Sequence, residues 1–144
     1  MPITDPNQQY FKDGGWSWTG SKWIKGGLPF EYAGVVCGRV VGAGVGAGSN
    51  TLLGDTVPAN VLWVITAMSA WSGTFNLTSI RLGVLSGGFS YWIAMGGAVL
   101  APAGFSWSGQ AIMVEGDIPS ATLTGCTAGD NIYFYYFGYA MRLT

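Results

Sequence analysis

The chain has 144 residues, 49% hydrophobic and 15% aromatic, which excludes a disordered polymer and suits a single domain with a proper core. It carries only six basic and seven acidic side chains and no histidine, or about one charge per 540 Å² of a monomer surface of about 7,100 Å². Six scattered cations exclude a phosphate-backbone binder. The absence of histidine removes the commonest general base and zinc ligand, and so sparse a charge cover implies that neighbours screen much of the surface.

The opening Met1-Pro2-Ile3-Thr4-Asp5-Pro6 is polar and proline-broken, with no basic start and no apolar run behind it, so no secretory signal is expected. Without export, Cys37 and Cys126 read as buried free thiols rather than a disulfide. No charge falls between Arg81 and Glu115, but Gly87-Gly88, Gly96-Gly97 and Pro102 interrupt the stretch before it could span a bilayer. An outer-membrane barrel would need export and a polar lumen. No membrane association is expected.

Residues 1–33 read as an N-terminal arm. Within it, Trp16-Ser17-Trp18 and Trp23-Ile24 flank a Thr19-Gly20-Ser21 turn and predict a short hairpin, bracketed by Gly14-Gly15 and Gly26-Gly27. A lone hairpin is marginal in water, so its tryptophans must pack against something. Residues 34–144 read as one β-sandwich domain. Residues 34–41 predict a first strand, followed by a flexible glycine loop over Gly42–Asn50. Val61–Trp71 predicts a long strand apolar on both faces, and 79–84 one with a wet face. Phe89–Met95 and strands at about 105–115, 118–124 and 131–142 follow, the last two entered through Gly116-Asp117 and Gly129-Asp130 turns. No stretch keeps helical periodicity for three turns. The fold class is therefore all-β, an antiparallel β-sandwich that is jelly-roll-like, with an N-terminal hairpin arm.

The last strand has aromatics on both faces: Tyr133, Tyr135, Phe137 and Tyr139 on one, Phe134 and Tyr136 on the other. A sandwich strand needs one face for the core. Its outer aromatics imply a covered outer face, supplied by another subunit or by the chain's own arm, and tyrosine is enriched at such contacts.

No motif for chemistry survives its context. Gly42-Ala43-Gly44-Val45-Gly46-Ala47 matches a relaxed dinucleotide pattern, but no helix opens there and no acidic residue follows about 20 positions on. No Gly-x-Ser-x-Gly or phosphate loop occurs. Of the carboxylates, Asp117 and Asp130 sit in turns that aspartate caps, Glu115 ends a strand, and Asp5, Asp13 and Glu31 lie in the arm. No catalytic residue, cofactor or metal is expected; the chain does not read as an enzyme. The tryptophans, Trp92 and Trp107 among them, also suit a sugar-stacking surface.

The run Val57–Ala70, Ile80-Arg81-Leu82, Val114–Asp117 and Gly125–Tyr133 resemble small β-sandwich structural proteins of tailed bacteriophage virions. The Trp18–Trp23 hairpin is similar to their lead-in segments. The resemblance implies a non-enzymatic capsid decoration (cement) protein, made in the host cytoplasm and bound on the virion surface. It would be a homotrimer seated between major capsid protein subunits. The alternative it implies is a tail or fibre-associated host-recognition module that binds glycan. In the first reading Trp16, Trp18, Trp23 and Phe30 anchor the arm on a neighbour, and Tyr133, Tyr135 and Tyr139 make subunit contacts. Deleting residues 1–27 is then expected to leave a folded body that no longer binds capsids; a pull-down in which the truncated chain binds fully would refute the arm.

Overall fold

The computed structural model describes residues 31–142 in full. Of the remainder it describes the backbone of Phe11–Lys12, Trp16–Trp18, Trp23–Lys25, Phe30 and Leu143. Three short strands, β1 (Phe11–Lys12), β2 (Trp16–Trp18) and β3 (Trp23–Lys25), pair antiparallel in that order. Trp18 stands opposite Trp23 and Trp16 opposite Lys25. Eight further strands make the body: β4 (Phe30–Gly42), β5 (Gly48–Leu53), β6 (Val61–Ser72), β7 (Ser79–Ser86), β8 (Phe89–Gly96), β9 (Gly104–Met113), β10 (Ile118–Cys126) and β11 (Ile132–Leu143). They form two four-stranded antiparallel sheets, sheet I in the order β5-β10-β7-β8 and sheet II in the order β4-β11-β6-β9. Among the described residues there is no helix.

The pairing follows one rule. Phe30 pairs with Leu143, Gly48 with Cys126, Trp63 with Met113, and Ser86 with Phe89. The chain is thus a single long hairpin with its tip at Gly87-Gly88, where both glycines take positive φ (58° and 84°) suited to a primed turn. Rolled up, this hairpin deals its strand pairs alternately to the two sheets, which is the jelly-roll arrangement.

Two elements differ from the sequence reading. Strand β4 begins at Phe30 rather than residue 34, because β11 runs on to Leu143 and offers it partners. Glu31 is therefore a strand residue opposite Arg142, not part of an arm. Strand β5 has no counterpart in the sequence reading. Of its residues only Leu52 is buried, so it lacks a run of apolar alternation. Its pairing with β10 and the hydroxyl ladders Thr51–Thr122 (2.8 Å) and Ser49–Thr124 (3.1 Å) hold it. The glycine loop between β4 and β5 is also tied down. Val45 exchanges backbone hydrogen bonds with Gly129 and Asp130 at 2.8 and 2.9 Å, and the Gly44 N–H donates to Asn131 Oδ1 at 3.0 Å.

The core lies between the sheets. Ile65, Met68, Met113, Ile132 and Phe134 from sheet II meet Ile80, Leu82 and Leu123 from sheet I, all at most 1% exposed. The two turn aspartates do the backbone work that their Gly-Asp contexts imply. Asp117 Oδ2 accepts the Val114 N–H at 2.9 Å, and Asp130 accepts the Asn131 N–H at 2.8 Å while the buried Ser72 hydroxyl donates to it.

A bulge at Thr66 shifts the alternation of β6 by one residue, so that Ile65 and Met68 both face the core. Phe137 pairs with Ala67 but the next residue, Gly138, pairs with Ile65, and the Thr66 hydroxyl donates to the Phe137 carbonyl at 3.3 Å. Here β11 approaches β6 so closely that a Cβ on Gly138 would overlap the Val64 carbonyl oxygen. Backbone cannot yield as a side-chain tip can. Gly138→Ala is expected to destabilise the fold by about 2 kcal/mol or more. Gly46→Ala, where nothing lies within 4 Å, should stay within about 0.5 kcal/mol of the parent in urea unfolding.

Candidate functional site

The two outer faces of the sandwich differ in chemistry. Sheet I turns outward its Thr51–Thr122 and Ser49–Thr124 hydroxyl ladders and Arg81, whose guanidinium lies 6.0 Å from the Trp92 ring centre. Sheet II turns outward the odd-numbered aromatics of β11. Tyr133 stacks on Trp71 at 5.3 Å between ring centres, and Tyr135 meets the same indole edge-on at 4.7 Å. Arg39, opposite Tyr135 on β4, sits 5.6 Å from the Tyr135 ring centre and 6.0 Å from that of Tyr133.

A depression of about 610 Å³ crosses this face. Its lining is three consecutive residues from each of the four strands of sheet II, in register. One outward row runs Arg39, Tyr135, Ser69, Ser106 and the next runs Cys37, Phe137, Ala67, Ser108. Between them the backbone of an inward row, Gly38, Tyr136, Met68 and Trp107, makes the floor. The tall side chains stand on β4 and β11 while β6 and β9 supply only Ala and Ser, so a transverse trough opens across the strands.

The inward row fixes that floor. Tyr136 is 3% exposed, and its ring lies where a Cβ on Gly38 or Gly54 would have to be. Its hydroxyl donates to Asp55 Oδ2 at 3.1 Å and accepts the Asp55 N–H at 2.9 Å. Asp55 lies just beyond β5, so the phenol ties the central strand of sheet II to the edge of sheet I.

Of the residues singled out from sequence, Tyr133 and Tyr135 come together on the outer face, both half-buried, and Tyr139 lies further along it, opposite Val35 and Val64. The side chains of Trp16, Trp18, Trp23 and Phe30 lie outside the described residues. Trp107 is not a free platform, because it packs inward against the core. Both cysteines are free, but only Cys126 is buried. Cys37 is exposed because it points outward from an edge strand, which corrects the expectation of two buried thiols.

Sequence reasoning missed Phe137, which at 52% exposure is the most open of the outer row of β11. Alternation placed it in that row, but preference for tyrosine at contacts passed over it. It also missed a gathering of exposed apolar side chains at the end of the sandwich where β4 begins and β11 ends. Seven of the thirteen large hydrophobics left exposed among the described residues lie toward that end: Tyr32, Val35, Leu53, Phe89, Tyr91, Ile112 and Val114. They come from four strands and one turn, so no single stretch of sequence displays them together.

No protein-family model matches the chain, and no curated protein matches it. Among the described residues no helix is long and apolar enough to cross a membrane, and no cluster of three or more His, Cys, Asp or Glu could hold a metal ion.

Burial of the Tyr136 phenol holds its pKa above the usual 10.0, and the neighbouring Asp55 charge adds to the rise against the lowering effect of the Asp55 N–H. A raised pKa means the folded state holds the proton more tightly. The stability it contributes is present below pH 10 and is lost as pH rises through the folded value. Tyr136→Phe is expected to cost about 1–2 kcal/mol at neutral pH. Urea unfolding near pH 7 and above pH 10 should show the parent's advantage over this variant shrinking on the alkaline side.

Proposed function

We propose that this chain is a non-enzymatic structural subunit that docks through one end of its sandwich, as a capsid decoration protein of a tailed phage. The observation that carries the reading is the apolar end. Tyr32, Phe89 and Ile112 are 67%, 70% and 67% exposed there. We read these side chains as the parts of an apolar patch, and an exposed apolar patch on a soluble protein marks a protein contact.

The thin charge of the chain supports the same reading. So does the jelly roll, which viral capsid and lectin domains share, although the fold alone does not assign a role. Covering the end would contribute about 25 cal/mol per Å² of apolar area before the costs of association. A shell decorated at every symmetry-related site multiplies that contribution. The proposed unit is a trimer seated among major capsid protein subunits, with the segment that precedes β4 reaching onto a neighbour.

Quantitative mass spectrometry of purified particles tests the reading. Hundreds of copies in simple ratio to the major capsid protein are expected. A handful of copies would move the chain to the tail and its host-recognition role, and none would end the virion reading. In the same particles, serine at Tyr32, Phe89 and Ile112 together should abolish incorporation while the thermal midpoint stays within about 4 °C of the parent.

A further inference from the structure

We propose that the trough across sheet II binds a carboxylated sugar, of the uronic or sialic acid type, as part of a short oligosaccharide. The proposal does not rest on the capsid reading, because the residues that line the trough are not those counted at the apolar end.

The dimensions come first. Outward residues two apart on a strand stand about 7 Å from one another, and four strands span about 14 Å. The trough is therefore one ring wide and a short oligosaccharide long. Its 610 Å³ falls within the 300–1,000 Å³ or so typical of small-ligand sites.

The chemistry of the walls selects the class. One wall offers the Arg39 guanidinium, the Tyr135 phenol and the hydroxyls of Ser69 and Ser106; the other is centred on the apolar Phe137 and Ala67, with the Cys37 thiol and the Ser108 hydroxyl at its two ends. A pyranose has the same two-sidedness, with C–H faces that pack on aromatic and aliphatic surface and a rim of hydroxyls that needs partners. A hydrocarbon would meet Arg39 with nothing to offer a charge drawn out of water.

Arg39 supplies the acidic preference. Its guanidinium carbon lies 6.0 and 5.6 Å from the Tyr133 and Tyr135 ring centres, and a cation–π contact leaves guanidinium N–H groups for a bidentate carboxylate. Three of the described carboxylates are engaged elsewhere: Asp55 holds Tyr136, Asp117 caps Val114 and Asp130 takes the Ser72 hydroxyl. A ligand carboxylate would give Arg39 the partner that these do not.

The test titrates the full chain with trigalacturonic acid and with sialyllactose, and with neutral galactotriose as control. Amide NMR and calorimetry are the readouts. At least one acidic saccharide should bind with a Kd of about 1 mM or tighter. It should shift amides of residues 37–39, 67–69, 106–108 and 135–137, and bind about tenfold tighter than the neutral sugar. Arg39→Gln should abolish that preference with an unchanged thermal midpoint, and added salt should weaken the acidic sugar selectively. No shift in the trough from either acidic sugar at about ten times that concentration would overturn the proposal. So would equal binding of acidic and neutral sugars, or an Arg39→Gln variant that keeps the preference.

Discussion

Burial of the even-numbered side chains of β11 between the two sheets is the constraint on which the rest of the molecule depends. Ile132 and Phe134 are fully buried and Tyr136 nearly so. Phe134 and Tyr136 lie 5.6 Å apart between ring centres, and Trp63 stacks on Tyr136 from the neighbouring strand at 6.3 Å. Rings of this size at the centre of a sheet dictate what can stand around them. Gly38 and Gly54 are glycine because the Tyr136 ring occupies the space of their side chains, and the phenol then finds its partner at Asp55. Close packing at this point thus sets the spacing between the sheets, and with it the jelly-roll closure of β4 and β5 around β11.

Filling one face of β11 with core commits the other face to a different purpose. Strict alternation turns Tyr133, Tyr135, Phe137 and Tyr139 outward, and the chain's own Trp71 and Arg39 lie against the first two. What remains open is divided. Mid-face there is a recess with a charged and hydroxyl-bearing wall, whereas at one end of the sandwich apolar side chains protrude. A recess suits a small polar ligand and a protruding apolar surface suits a protein neighbour. The two proposals therefore follow from two shapes on one molecule.

The scarcity of charge links these surfaces to the behaviour of the chain. Three of the described carboxylates are held in internal hydrogen bonds. Arg39 and Arg81 both lie against aromatic rings. With only six basic and seven acidic residues in the whole chain, the apolar end faces water with weak electrostatic protection. Sheet I answers part of that need with outward threonine and serine ladders instead of charge.

Much of this was legible in the sequence. Period-two alternation, frequent glycine and the absence of helical periodicity determined an all-β sandwich. The boundaries of β6, β8, β10 and β11 came out within about two residues, because each has a dense apolar run or a Gly-Asp turn to mark it. The capping role of Asp117 and Asp130 was likewise local and therefore readable. Strand β5 was not, since its order comes from hydroxyl pairs made with β10, some 71 and 75 residues distant. The early start of β4 was decided by partners that β11 supplies at the far end of the chain. Exposure of Cys37 depended on which strands became edges, and the trough on a register that sets Arg39, Tyr135, Ser69 and Ser106 in one row. Local pattern determines which side chains share a face of one strand. Only tertiary pairing decides which residues stand beside them, because register is a contact between distant parts of the chain.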